Sequence, residues 1–131
     1  MPTTIRIRDE STSGTPLGEA VIELLTDRVD VRELIRSRVY QEVKDYNARG
    51  GEEFRGLVRP TDAETTLNGY RLRKPRQIDW KRQFDRAIEA FDQGHILLLV
   101  DDRQVEDLDA QLVVSPSTTV TFLRLMPLVG G

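Results

Sequence analysis

The chain has no cysteine, a single histidine and only three lysines among its 131 residues. The absence of cysteine excludes disulfides, thiolate-bound zinc and a cysteine nucleophile. The one histidine, His95, lacks the neighbouring nucleophile and orienting group that a general base requires, so we interpret it as a solvent-facing or capping residue. We therefore expect a protein that is not an enzyme and that holds no metal and no cofactor.

Long apolar runs are missing as well. No segment is long and apolar enough to span a bilayer, and the N-terminus does not resemble a signal peptide, so we expect a cytoplasmic protein with no membrane partner. The formal net charge of -3 gives no reason to expect nucleic acid as a partner. The length suits one domain, which we predict at residues 1–125, followed by a tail at residues 126–131.

The first residues of the chain predict a β-hairpin. Residues 3–8 alternate polar and apolar side chains, with Ile5 and Ile7 on one face. Residues 11–18 are rich in turn formers, and residues 19–25 predict the second strand of the hairpin.

The last third of the chain predicts further strands. In residues 95–100 every position after His95 is apolar, which is typical of a strand covered on both faces. Asp101-Asp102 predicts a turn, and short strands are expected at residues 103–105 and 112–114. Residues 118–125 alternate again and predict the closing strand.

Two helices are predicted between these strands. Asp30 and Glu33 have the spacing of a capping box, and Gly50-Gly51 provides the stop. The apolar residues at helical spacing in this first helix are Val31, Leu34, Ile35, Val39, Val43 and Tyr46. A second helix is expected at residues 79–93, where Trp80, Phe84, Ala87, Ile88 and Phe91 form a stripe that we interpret as core packing. Asn68-Gly69, ahead of that helix, predicts a hairpin turn.

The order of these elements predicts the fold class. A hairpin, a helix, a second helix and returning strands describe an α+β protein with its helices on one face of a mixed sheet. The last strand is expected beside the first and parallel to it, because the intervening chain is long enough for the crossover.

Two segments resemble the C-terminal half of ubiquitin and its relatives. Leu98 to Asp107 is similar to the strand, turn and Lys-Gln-Leu-Glu-Asp stretch of that family, and Thr118 to Leu123 resembles its last strand. Gly130-Gly131 matches the family's terminal diglycine. The resemblance covers about residues 3–47 and 95–131 and implies a β-grasp fold, whereas residues 50–94 form an insertion without a counterpart in ubiquitin. Bacterial ubiquitin-like proteins that are found with their own conjugation enzymes are the nearest relatives that the resemblance suggests.

The resemblance implies a protein modifier whose conjugation residues are Gly131 and Gly130. Its partners would be an ATP-dependent adenylating enzyme, a transfer enzyme, a target protein and a deconjugating protease. The tail around Leu128 and Val129 is uncharged where the family has arginines, so the cognate enzyme should offer an apolar groove to these two residues. Pro127 interrupts strand hydrogen bonding, and residues 126–131 are expected to be flexible or extended.

A second partner-binding surface is predicted on the sheet. When the segment around Gln104 is aligned with the ubiquitin family, Leu97 and Leu99 point outward and Leu123 lies beside them on the neighbouring strand. Exposed apolar groups of this size favour an interaction patch. The alternative is that the insertion covers this face. Asp101-Asp102 and Glu106-Asp107 favour a turn and a solvated loop over a metal site, because no EF-hand spacing is present.

Two other functions fit the same pattern. A sulfur carrier shares the β-grasp fold and the diglycine but bears a C-terminal thiocarboxylate; such carriers are usually shorter. A β-grasp binding module that is never conjugated is the other alternative, and in that case the diglycine would be incidental.

Overall fold

The computed structural model describes residues 2–11, 13–14, 16–51, 53–66, 69–74 and 76–125. Within these residues the protein is α+β, with two helices and ten strands. The helices are α1 (Val31–Arg49) and α2 (Trp80–Asp92). The strands are β1 (Thr3–Ser11), β2 (Pro16–Leu24), β3 (Arg28–Asp30), β4 (Glu53–Phe54), β5 (Ala63–Thr65), β6 (Tyr70–Leu72), β7 (Ile96–Val100), β8 (Arg103–Val105), β9 (Gln111–Val113) and β10 (Thr119–Arg124).

The chain forms two compact units. The first comprises residues 1–34 and 90–131, and the second comprises residues 35–89. The first unit contains a five-stranded sheet of order β2-β1-β10-β7-β8, in which β1 and β10 are parallel and the other neighbours are antiparallel. The predicted mixed sheet and the parallel pairing of the first and last strands are thus confirmed.

The alternation of the strands explains which side of this sheet is buried. Opposite each other in the register lie Ile5 and Ile22, and likewise Ile7 and Val120. Phe122 pairs with Leu98 on the same side, and both side chains have no exposed surface. Apolar residues at every second position form this inner face because successive side chains of a strand point to opposite faces.

The structure differs from the sequence prediction in its shorter elements. The hairpin strands extend into the expected turn, with a register shift between Asp9 and Glu10. In addition, β3 pairs with β9 in a separate two-stranded sheet, and β3 was not predicted. Three residues are too few for a periodic pattern, so the pairing of these strands could not be recognised from the sequence.

Both predicted helices are present, with ends that differ by one or two residues. Asp30 caps α1, because its Oδ1 accepts a hydrogen bond from the backbone N–H of Glu33 at 2.7 Å. At the C-terminal ends, Gly50 and Gly94 adopt φ values of 75° and 77°, a conformation that glycine reaches without strain. Among the described residues, neither helix combines the length and the apolar character that crossing a bilayer requires.

The second unit contains the three-stranded sheet β4-β6-β5. The predicted hairpin is confirmed by the pairing of β5 with β6, although residues 67 and 68 lie outside the described part. Glu42 organises this unit: its carboxylate accepts hydrogen bonds from Arg38 Nε at 2.5 Å and from the backbone N–H of Leu57 at 3.1 Å. Arg38 is buried, so the ion pair supplies the compensation that its charge requires.

A buried tyrosine packs beside this network. Tyr46 meets the ring of Phe54 edge to face, with 5.4 Å between the ring centroids, and its hydroxyl donates to the carbonyl oxygen of Gly51. Burial raises the pKa of the Tyr46 phenol above its usual value of 10.0, so this group stays a neutral donor at physiological pH.

Candidate functional site

Three leucines lie together on the outer face of the five-stranded sheet. Leu97 on β7 is directly opposite Leu123 on β10, and Leu99 is one pleat further along β7. We call Leu97, Leu99 and Leu123 the leucine face. All three are half-buried, whereas Leu98 between them points to the other side and is fully buried. The burial of Leu97, Leu98 and Leu99 therefore agrees with the inward and outward directions that the resemblance implies.

Polar residues border the leucine face. On one side Leu123 is in register with Glu10 of β1, and on the other side Leu99 is in register with Gln104 of β8. Thr121, opposite Leu99, is 5% exposed, so this face is partly covered and is not a fully open surface. An apolar centre with a polar border is typical of a small protein-binding patch.

The end of β10 is held in place from two sides. The backbone N–H of Leu125 donates to the carbonyl oxygen of His95 at 3.0 Å. Arg124 Nη2 lies 2.7 Å from Asp9 Oδ2, and the two side chains are 18% and 14% exposed. This ion pair ties the end of β10 to β1, six residues before Gly130. The sequence pattern did not indicate this ion pair, because it joins residues that are 115 positions apart.

Replacing Asp9 by Asn should destabilise the protein by about 1–3 kcal/mol, because a mostly buried guanidinium loses its charged acceptor. The free energy of unfolding, measured by urea denaturation, tests this. The matched control is Glu19→Gln, which breaks the exposed Arg8–Glu19 pair at 3.4 Å and should cost less than about 0.5 kcal/mol. Equal losses in the two variants would show that Asp9 acts only as a surface charge.

The acidic residues after β7 form a turn. Asp101 and Asp102 adopt positive φ values of 48° and 68° and join β7 to β8 in a two-residue hairpin, as predicted. Asp101 Oδ1 also accepts a hydrogen bond from the backbone N–H of Thr119 at 2.9 Å. Among the described residues, no group of three or more His, Cys, Asp or Glu side chains is arranged around a common point that could hold a metal ion.

The predicted conjugation residues lie beyond the described part of the chain. The described residues do not include Leu128, Val129, Gly130 and Gly131. The prediction that residues 126–131 are flexible or extended therefore also lies outside the described part.

The lysines, in contrast, are all described. Lys44, Lys74 and Lys81 are exposed, and all three belong to the unit of residues 35–89. If copies of this protein were linked to one another through lysine side chains, the linkage sites would lie in this unit.

The chain was also compared with known proteins. No protein-family model, no curated protein and no solved structure matches it.

Proposed function

We propose that the chain is a ubiquitin-like modifier with a β-grasp fold, attached to target proteins through the carboxyl group of Gly131. The observation that carries the proposal is the central parallel pair of β1 and β10, which is followed by Gly130-Gly131 within seven residues of Arg124. The proposal is supported by the succession of a hairpin, a helix and returning strands, which is compatible with a β-grasp, and by the resemblance of Leu98 to Asp107 to the same region of ubiquitin.

The proposed chemistry places the reactive steps on partner enzymes. The Gly131 carboxylate attacks the α-phosphorus of ATP, which gives an acyl-adenylate and releases pyrophosphate. A nucleophile of the enzyme displaces AMP, and an amine or hydroxyl of the target then displaces the enzyme. Glycine suits the acyl position because no Cβ hinders the approach of the nucleophile. The chain itself contributes the acyl group and the surfaces that the enzymes bind.

The partners follow from the same proposal. An adenylating enzyme and a transfer enzyme would hold Leu128 and Val129 in an apolar groove, since residues 125–131 carry no charged side chain. A deconjugating protease would act at Gly131, and the modifier would work in the cytoplasm without contacts to nucleic acid or membrane. The leucine face would supply the contact outside the tail.

Mass spectrometry of adducts tests the proposal directly. Arg124 is the last basic residue, so trypsin would leave the seven residues Leu125–Gly131 attached to a modified side chain of the target. An N-terminally tagged chain, expressed in cells that hold its enzymes, should give tryptic target peptides with this remnant. A free chain with sulfur in place of one terminal oxygen would instead indicate the sulfur carrier. If neither product is formed, the result would indicate the binding module.

Leu99→Arg should reduce the yield of adducts about tenfold or more while the melting temperature changes little, because Leu99 is a half-buried member of the leucine face. Adduct yield in the same cells and thermal melting of the purified variant are the two measurements. Val113→Arg is the control, since Val113 is 72% exposed and lies in another sheet. Unfolding of Leu99→Arg would show that Leu99 is a core residue, and an unchanged adduct yield would remove the leucine face from the proposal.

A further inference from the structure

Charge is distributed unevenly between the two units. Residues 35–89 contain thirteen basic and nine acidic residues, a formal net charge of +4. The rest of the chain contains six basic and thirteen acidic residues, a formal net charge of -7. The basic excess is densest between residues 70 and 86, with seven basic and two acidic residues. A concentration of positive charge in an acidic protein favours a partner of negative charge at that place.

Two arginines of the basic unit, Arg76 and Arg86, donate hydrogen bonds to the loop that carries a third, Arg59. Arg86, on α2, donates from Nη1 to the carbonyl oxygen of Arg59 at 2.9 Å and from Nη2 to Thr61 Oγ1 at 3.1 Å. Arg76 donates from Nη2 to the carbonyl oxygen of Thr61. We call Arg59, Arg76 and Arg86 the arginine cluster. All three side chains are exposed.

The contacts of Arg76 and Arg86 hold these two guanidinium groups without neutralising their charge. Their acceptors are the carbonyl oxygens of Arg59, Thr61 and Gln77 and the Thr61 hydroxyl, which are all neutral groups. In the described part of the chain, none of the three arginines forms an ion pair with a carboxylate, although Asp62 follows in the same loop. Arg38 and Arg82 of the same unit, in contrast, pair with Glu42 and Asp79.

Such a cluster is suited to carboxylates. The guanidinium group is planar, remains charged and presents a fork of donors that matches a carboxylate with two parallel hydrogen bonds. Because Arg76 and Arg86 are already held by the loop, less side-chain entropy is lost when an anionic group binds.

Other features disfavour nucleic acid as the partner. Binding of single strands relies on a line of phosphate contacts and on free aromatic faces for base stacking. The cluster surrounds a single turn, and the one tryptophan, Trp80, is engaged within its unit. Arg36 lies 5.2 Å above its ring, and Tyr40 meets it edge to face at 5.4 Å.

We propose that the arginine cluster is a docking site for an acidic segment of a partner polypeptide. The site lies within the insertion of residues 50–94, outside the segments that resemble ubiquitin, and it does not depend on Gly131. The site would select the partner through a few carboxylates, and the binding affinity should fall as salt screens the exposed charges.

Fluorescence anisotropy with a labelled peptide of alternating Glu and Ser tests the site. The wild-type chain should bind this peptide, less tightly as the salt concentration rises, and should bind the Gln-Ser counterpart much more weakly. Arg59→Gln should weaken binding about two- to fivefold, and Arg59→Gln combined with Arg76→Gln about tenfold. Arg59→Gln should leave melting unchanged, because its guanidinium makes no hydrogen bond within the described residues.

Arg103→Gln is the matched control, since it removes one exposed positive charge from the other unit. It should leave peptide binding unchanged. If Arg103→Gln weakened peptide binding as much as Arg59→Gln does, the effect would arise from net charge alone and the proposed site would be refuted. Failure of the wild-type chain to bind the Glu-Ser peptide would also overturn it. So would tighter binding of oligothymidylate that the same two substitutions abolish. Deletion of Gly131 should not change peptide binding, so this proposal and the modifier proposal can fail separately.

Discussion

Replacing Leu34 by Ala should lower the free energy of unfolding by about 2–5 kcal/mol. Leu34 lies in the second turn of α1 and has no exposed surface, and the neighbouring Val31 and Ile35 are equally buried. Deleting three carbon atoms there removes apolar contacts and leaves a cavity that well-packed neighbours fill only in part. Urea denaturation monitored by circular dichroism measures the loss, and a constant m-value would show that the unfolded state is unchanged.

The control for this prediction is the same substitution at an exposed position. Leu25 is 83% exposed, so Leu25→Ala removes equal mass without opening a cavity and should change stability by less than about 0.5 kcal/mol. If Leu34→Ala cost less than about 1 kcal/mol, the inward face of α1 would be wrongly assigned. Because both variants replace Leu by Ala, a difference in their stability losses reports the difference in burial between the two positions.

The elements that were predicted are those with strong local signals. Asp30 and Glu33 define the start of α1 because capping is an interaction between residues three apart. In the same way, the alternation of polar and apolar residues within β1 and β10 predicts which side chains point into the core. The parallel pairing of the two strands follows because few arrangements can close such a sheet.

Pairings between distant short segments could not be predicted. The two residues of β4 and the three of β3 are too short for a periodic signal, and only the folded chain brings them to β6 and β9. The same holds for the Asp9–Arg124 pair and for the bond from Glu42 to the Leu57 backbone, because a charged residue in a sequence is normally read as solvent-facing.

The two candidate surfaces show the same contrast. Leu97, Leu99 and Leu123 were placed on the outer face by the resemblance of a local stretch of sequence around Gln104 to ubiquitin. The sequence left open whether this face is covered, because the burial of Thr121 depends on tertiary packing. The arginine cluster was missed entirely: Arg59 and Arg86 are 27 positions apart, and in the sequence they resemble the ordinary charged surface of a loop and a helix.

Deleting Gly130 and Gly131 should abolish adduct formation without lowering the melting temperature. The acyl group would then belong to Val129, whose branched Cβ crowds the carbonyl carbon that the activating and transfer enzymes must approach. The buried apolar core of the described residues extends from Ile5 to Phe122, so the deletion removes none of it. Tryptic remnants on target peptides and thermal melting measure the two halves of this prediction.

A graded series sharpens the test, because the steric argument orders its members. Gly131→Ala should retain part of the adduct yield and Gly131→Val almost none. Gly18→Ala, at a position where an added Cβ meets no atom within 4 Å, should retain the full yield. Residues appended after Gly131 should block adducts until a protease removes them, since the carboxyl group is then held in a peptide bond. Adducts that persist after the diglycine is deleted would refute the modifier proposal, because the acyl donor would then lie elsewhere in the chain.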